Sequence, residues 1–263
     1  MISIKNIEVV FGAGGPNENR ALQSVSLDVP TSQFLTVIGS NGAGKSTLLN
    51  AVAGTVAATS GDVVIDGKSV VRLREHQRAT DIARVFQDPL AGTCGALTIE
   101  ENLALADRRG QARGFRLALT GNQKDRYRDR LSVLGLGLEN RLSDRMDLLS
   151  GGQRQAVCLI MATLAPSKVI LLDEHTAALD PVMAELIADL TEKVVEDYNL
   201  TALMITHSMA QALRYGDRTI MMHRGQIALD LDHNARANMD VPDLVAAFST
   251  KIGETLDQDD LVL

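Results

Sequence analysis

The stretch Gly39-Ser40-Asn41-Gly42-Ala43-Gly44-Lys45-Ser46-Thr47 carries the densest chemistry in the chain. Gly39, Gly44, Lys45 and Ser46 fall at the fixed positions of G-x-x-x-x-G-K-[ST]. Glycines there let successive backbone N–H groups turn inward around phosphate oxygens. The lysine ammonium neutralises β- and γ-phosphates, and the serine hydroxyl is an oxygen ligand for Mg²⁺. The loop follows the apolar run "FLTVIG" and opens the helical pattern "GKSTLLNAVAG". That strand–loop–helix setting adds the positive end of a helix to the phosphate site. The reading is a P-loop that cradles the phosphates of a nucleotide with Mg²⁺.

A second constellation ends another apolar run, "KVILLDE", in Asp173 and Glu174. A phosphate loop needs an acidic partner at a neighbouring strand end. Asp173 is expected to hold Mg²⁺ through water, and Glu174 to orient or deprotonate the attacking water. Two acids after an apolar run say little alone. Paired with the loop at 39–47 they predict hydrolysis of the bound triphosphate.

The elements that must position these groups are visible in the patterning. "ISIKNIEVVF" and "ALQSVSLDV" alternate or run β-branched and read as strands. The intervening "GAGGPNENR" has no helical pattern after it, so it reads as a hairpin connection, not a second phosphate loop. "GKSTLLNAVAG" is a helix ending at Gly54, and "GDVVIDGKSV" is a strand with an Asp-Gly turn. The pattern over 98–165 is mostly helical, and "TIEENLALA" carries a Thr-x-x-Glu capping box. Beyond it "KVILLDE" and "TALMITH" read as buried strands flanking the amphipathic helix "PVMAELIADLTEKVVEDYN". "DRTIMMHRGQIALD" reads as a closing hairpin. The strand–helix–strand order predicts an α/β fold with a mainly parallel sheet interrupted by a helical insertion.

The bulk numbers fit. With 263 residues, 45% of them hydrophobic, the chain can form one large domain or two interlocked subdomains. A net charge of -7, no Trp and 3% aromatic residues argue against a nucleic-acid partner. Cys94 and Cys158 lie far apart without metal-type spacing and read as reduced thiols. The N-terminal "MISIKNIEVVF" has no signal-peptide character, and no apolar run approaches the roughly 18–20 residues of a spanning helix. Work at a membrane would require another subunit to span it. Between Arg108 and Arg130 eight Arg/Lys face two Asp, which reads as a solvated helical face or a surface near lipid headgroups or an acidic partner. The tail with Glu254, Asp257, Asp259 and Asp260 is expected to fray.

Four further elements occur in fixed order: "VFQDP" with Gln87, "LSGGQ" from Leu149 to Gln153, "AALD" ending at Asp180, and "ITH" ending at His207. This set resembles the ATP-binding-cassette (ABC) ATPases over about residues 1–230. The resemblance implies a P-loop NTPase fold: a RecA-like core with an antiparallel β subdomain at about 1–87 and 166–230, and a helical subdomain inserted at about 88–165. A short extension covers about 231–263. It implies that Phe11 stacks on adenine, although a plain strand core residue is the alternative. Gln87 would touch Mg²⁺ and the lytic water, and His207 would bond the γ-phosphate. Leu149, Ser150, Gly151, Gly152 and Gln153 would form the signature that grips the γ-phosphate held by a second copy, with Asp180 crossing that interface. Two copies would sandwich two ATP molecules.

One cassette without a membrane span resembles the peripheral ATPase of a bacterial importer, on the cytoplasmic face of the membrane. Two permease subunits and a substrate-binding protein are then the implied partners. The phrases "RVFQDPLAGT", "TIEENLALA" and "LMITHSMAQAL" resemble an importer branch with aromatic amino acids among its proposed cargoes. An exporter or lipoprotein-extraction ATPase, or a soluble ATPase of cluster assembly, shares the same core. The chain departs from the family pattern at "DEHTAALD", where His175 replaces the usual proline. A metal site is disfavoured, since no His or Cys with ligand spacing stands nearby. Histidine restores a backbone N–H and a wider φ range. It reads as a turn variant, with tuning of Glu174 or contact across the dimer as alternatives, and His175→Pro is expected to leave ATPase activity near normal.

Overall fold

A computed structural model describes residues 1–111 and 120–252. Arg113 and Arg116 of the basic stretch and all four acids of the tail lie outside the described residues. The chain divides into two compact units, Met1–Arg78 with Asn199–Leu263, and Ala79–Tyr198.

In chain order the first unit opens with β1 (Ile2–Phe11), β2 (Asn19–Val29), β3 (Phe34–Ile38), α1 (Lys45–Ala53), β4 (Ser60–Ile65), β5 (Lys68–Ser69) and α2 (Glu75–Arg78). The second unit holds β6 (Ile82–Val85), α3 (Ile99–Asp107), α4 (Gly121–Ser132), α5 (Gly151–Leu164), β7 (Val169–Asp173) and α6 (Pro181–Asp197). The chain then returns to the first unit through β8 (Thr201–Ile205), α7 (Met209–Arg214), β9 (Arg218–His223), β10 (Gln226–Leu231), α8 (His233–Arg236) and α9 (Val241–Ile252).

The first unit contains an antiparallel sheet in the order β2-β1-β4-β5. Its β1 buries Ile2, Ile4, Ile7 and Val9, and the alternation that the sequence predicts changes phase between Ile4 and Ile7, where Asn6 takes a φ of 46° and the register against β2 shifts. The stretch "GAGGPNENR" closes the β1–β2 hairpin. At the β4–β5 turn Asp66 and Gly67 both take positive φ, 47° and 77°, the pair that a two-residue primed turn demands. Four strands of a mixed sheet run β10-β9-β3-β8, with β3 parallel to both neighbours and β9–β10 the predicted closing hairpin. All five residues of β3 and of β8 are buried, as expected of parallel strands covered on both faces. Arg78, itself buried, donates from Nη1 to Ala51 O and Val52 O at 2.8 Å. A guanidinium at the carbonyl end of α1 satisfies orphan acceptors and complements the helix dipole, fixing the far end of the helix that the phosphate loop opens.

In the second unit β6 and β7 pair in parallel, with Arg84 opposite Leu171 and Val85 opposite Leu172. Helix α5 is apolar nearly all round; ten of its fourteen residues are buried, which makes it the central helix of this unit. It packs in a core with Ile99, Leu103, Tyr127, Leu131 and Ile187. The capping box at Thr98 is present: Thr98 N donates to Glu101 Oε2 at 2.7 Å, and Glu101 N to Thr98 Oγ1 at 3.3 Å.

Candidate functional site

In the first unit, the loop at 39–47 leaves β3 and enters α1. Three of its glycines take left-handed or related φ, 143° at Gly39, 76° at Gly42 and 103° at Gly44. A Cβ on Gly39 would lie 2.3 Å from Met222 O, and one on Gly44 would lie 2.6 Å from Ala21 O. The first and last glycines are therefore clamped between strands, whereas Gly42 faces open space. Helix α1 has no side-chain cap and no acid in its first turn. Its first N–H groups and its dipole are thus left for an anion. The Lys45 side chain curls over the loop, 5% exposed, and donates from Nζ to Gly39 O at 2.6 Å and Ser40 O at 3.1 Å. Ser40 and Thr47 are half-buried, Ala43 is buried, and Asn41 and Ser46 are exposed.

Strand β8 lies beside β3, with Val37 opposite Ile205, and Thr206 N donates to Val37 O at 3.2 Å. This register brings His207 and the loop at 39–47 to the same carboxyl end of two parallel strands, where open α/β sheets bind ligands. The next turn is fixed: Ser208 caps α7 by accepting from Gln211 N at 3.2 Å, and Ser208 N donates to Thr206 Oγ1 at 3.1 Å. Phe11 ends β1 with 44% exposure, so it is not a core residue, and the exposed ring is available to a flat ligand.

In the second unit, Asp173 ends β7 and Gln87 follows β6, so the two stand at the same end of one parallel pair. Gln155 on α5 donates to Phe86 O at 3.0 Å and pins the backbone just before Gln87. Asp173 Oδ2 accepts from Arg84 Nη2 at 2.7 Å, with both side chains nearly buried at 14% and 13% exposure. The Arg84 guanidinium also stacks 4.6 Å over the Phe86 ring. Arg84 escaped the sequence reading, although an arginine inside the apolar "IARVF" was its signal.

Glu174 is buried and has φ 45°, a left-handed conformation that costs a non-glycine residue roughly 1–2 kcal/mol. His175 is 2% exposed, and its Nε2 stands 2.9 Å from Thr191 Oγ1 of α6. Burial pushes its imidazole pKa down to about 4, so the ring is neutral. A ring that deep in its own unit does not reach a dimer partner. Asp180 caps α6, accepting from Met183 N at 3.1 Å, with Pro181 in the first turn.

The signature opens α5. Leu149 is buried, and Ser150 and Gln153 form a reciprocal capping box, with Gln153 N to Ser150 Oγ at 3.2 Å and Ser150 N to Gln153 Oε1 at 3.3 Å. Gln153 is therefore committed to the helix start. A Cβ on Gly152 would meet Met183 Cε at 2.6 Å, and one on Gly151 would lie 3.9 Å from Leu179. The structure thus brings the signature against the turn that ends at Asp180. Among the described residues no cluster of three or more His, Cys, Asp or Glu forms a metal site. In the first unit the hydroxyl of Ser46, and in the second the amide oxygen of Gln87 and the carboxylate of Asp173, are each hard oxygen donors, the ligand type of Mg²⁺ rather than the sulfur and imidazole donors of zinc.

The ABC transporter family model matches residues 22–177. The tyrosine transport ATP-binding protein of Clostridioides difficile (strain R20291) is 40% identical over 248 residues, covering 94% of this chain and 98% of that protein. The phosphonates import ATP-binding protein PhnC of Bacillus thuringiensis subsp. konkukian is 32% identical, with 88% of each chain covered. Among solved structures, the dimeric post-hydrolysis state of the ATP-binding cassette MJ0796 bound to ADP and Pi superposes with a TM-score of 0.76. It is 29% identical and covers 89% of this chain and 99% of its own.

Proposed function

The chain belongs to the ABC transporter family of ATPases, and from that premise we propose that it is the ATP-hydrolysing subunit of a bacterial small-molecule importer. The observation that carries the reading is the loop at 39–47. Its clamped glycines, uncapped helix start and buried lysine ammonium form a seat for a triphosphate.

Lys45 would exchange its carbonyl partners for β- and γ-phosphate oxygens, and the N–H groups entering α1 would bind the same phosphates. Phe11 would stack on the adenine. Ser46, Gln87 and Asp173 would offer oxygen ligands to Mg²⁺, which when bound neutralises phosphate charge. Glu174 would accept a proton from the attacking water as its oxygen bonds to the γ-phosphorus. The bond to the bridging oxygen breaks, releasing ADP and phosphate. His207 would hold a γ-phosphate oxygen and the water, and Gln87 would sense both the water and the permease. Ser150, Gly151 and Gly152 of a second copy would donate to the γ-phosphate, with Asp180 at the interface.

Binding of two ATP molecules closes such a pair, and hydrolysis reopens it. Two permease subunits would convert closure into alternating access, fed by a substrate-binding protein. No helix among the described residues is long and apolar enough to cross a membrane. The name of the C. difficile relative supports an aromatic amino acid as cargo.

The test is uptake of labelled tyrosine in cells whose copy carries Glu174→Gln, beside phosphate release by the purified chain. Loss of both supports the assignment. Unchanged tyrosine uptake with abolished hydrolysis overturns the cargo, and undiminished hydrolysis overturns the role of Glu174.

A further inference from the structure

Glu174 holds a left-handed φ of 45° in a place where nothing in its own chemistry favours it. Such a conformation persists only when the surroundings impose it. The turn that follows has two internal bonds, Ala177 N to Glu174 O at 3.0 Å and Leu179 N to Thr176 O at 3.2 Å. Its far end is tied to α6 by the Asp180 cap. Its near end carries His175, whose ring contacts the middle of the same helix at Thr191.

The direction of that contact follows from proton counting. Thr191 is fully buried, and its Oγ1 donates its single proton to Ile187 O at 2.7 Å. The hydroxyl can then only accept from the ring, so His175 Nε2 carries the proton and donates. Proline at 175 would supply no such donor and would bias the preceding residue toward extended backbone.

We propose that His175 is a positioning residue for the catalytic glutamate: its Nε2–H, seated on Thr191, ties the strand-to-helix turn to α6 and holds Glu174 in the left-handed conformation that aims its carboxylate. The proposal rests on the reading of Glu174 as the base. It replaces the simpler view of His175 as a turn variant without consequence.

The test measures kcat, KM for ATP and melting temperature of the full chain carrying His175→Leu, Thr191→Val, both together, His175→Gln and Thr191→Ser, with Glu174→Gln as the control. His175→Leu and Thr191→Val each lower kcat about tenfold or more, with KM within about twofold, because a misaimed base affects the chemical step and not nucleotide affinity. The double variant falls no further than the worse single one, since both remove one interaction. Gln keeps an N–H donor near the Nε2 position and Ser keeps the hydroxyl, so both recover most of kcat. Single variants within about twofold of the unsubstituted kcat would overturn the proposal, as would losses confined to KM or melting temperature. Full hydrolysis in the Glu174→Gln control would instead overturn the reading of Glu174 itself.

Discussion

The loop at 39–47 and the turn at 174–180 each carry the chain from the end of a parallel strand into a helix, and they are built on opposite terms. The loop uses backbone. Three glycines supply φ values of 143°, 76° and 103°, α1 has no side-chain cap, and the ligands it offers are largely N–H groups. The turn uses side chains. A glutamate takes φ 45°, an aspartate caps α6, and a buried histidine bonds a buried threonine. A phosphate needs many donors close to the main chain, which a Cβ would obstruct. An attacking water needs one carboxylate at one angle, which only side-chain contacts can hold.

The comparison is broken most sharply at Glu174. Glu174→Gln keeps the shape of the turn and removes the proposed base, so phosphate release is expected to fall about 10²–10⁴-fold while ATP binding and melting temperature hold. A large drop in melting temperature would show that the carboxylate is structural. The next largest effect is in the loop, where Gly39→Ala places a Cβ 2.3 Å from Met222 O and should cost about 3 kcal/mol or more, read by denaturant unfolding. Gly42→Ala meets nothing within 4 Å and should cost only the left-handed penalty of about 1–2 kcal/mol. Equal costs at the two glycines would refute the clamped-ends account.

The histidine makes the turn sensitive to pH in a way that the loop is not. Burial lowers its pKa in the folded chain from the ordinary 6.5 of a solvated imidazole to about 4. Between those values the unfolded chain takes up a proton that the folded chain refuses. The contribution is complete above pH 6.5 and is lost progressively as pH falls toward 4, amounting to about 3 kcal/mol. Unfolding curves at pH 7 and pH 4.5 should show this slope, and His175→Leu should remove it. The smallest effect belongs to the signature: Ser150→Ala removes a helix cap at a cost of about 1 kcal/mol in stability. It should leave ATP binding by the monomer intact while slowing turnover, as measured by nucleotide titration beside phosphate release.

How much of this was legible in the sequence follows the same division. A backbone-built site is written locally, because glycine positions, the apolar strand before and the helix after are contiguous. The loop at 39–47, the Asp66-Gly67 turn and the Thr98 capping box could all be read directly for that reason. Side-chain sites depend on what folding brings together. The Arg84–Asp173 ion pair joins residues 89 apart and depends on the register of β6 against β7. The His175–Thr191 bond depends on α6 running back past the turn. Sequence reasoning about residue 175 favours a turn variant and keeps tuning of Glu174 as an alternative, but it cannot supply Thr191, the ring's partner. It likewise treated Gln153 as part of a ligand-gripping motif, where the fold also uses it to close a helix start.

The curled Lys45 side chain has a thermodynamic corollary. Its ammonium already holds two carbonyl oxygens of the loop, so the seat stays folded around its own cation. With Lys45 in its proposed role, arrival of a nucleotide would trade neutral acceptors for charged ones while the donor stays satisfied. The gain is then chiefly coulombic and not a gain in the number of bonds. Added salt should weaken nucleotide affinity, and removing the γ-phosphate should cost more than the loss of one hydrogen bond would suggest.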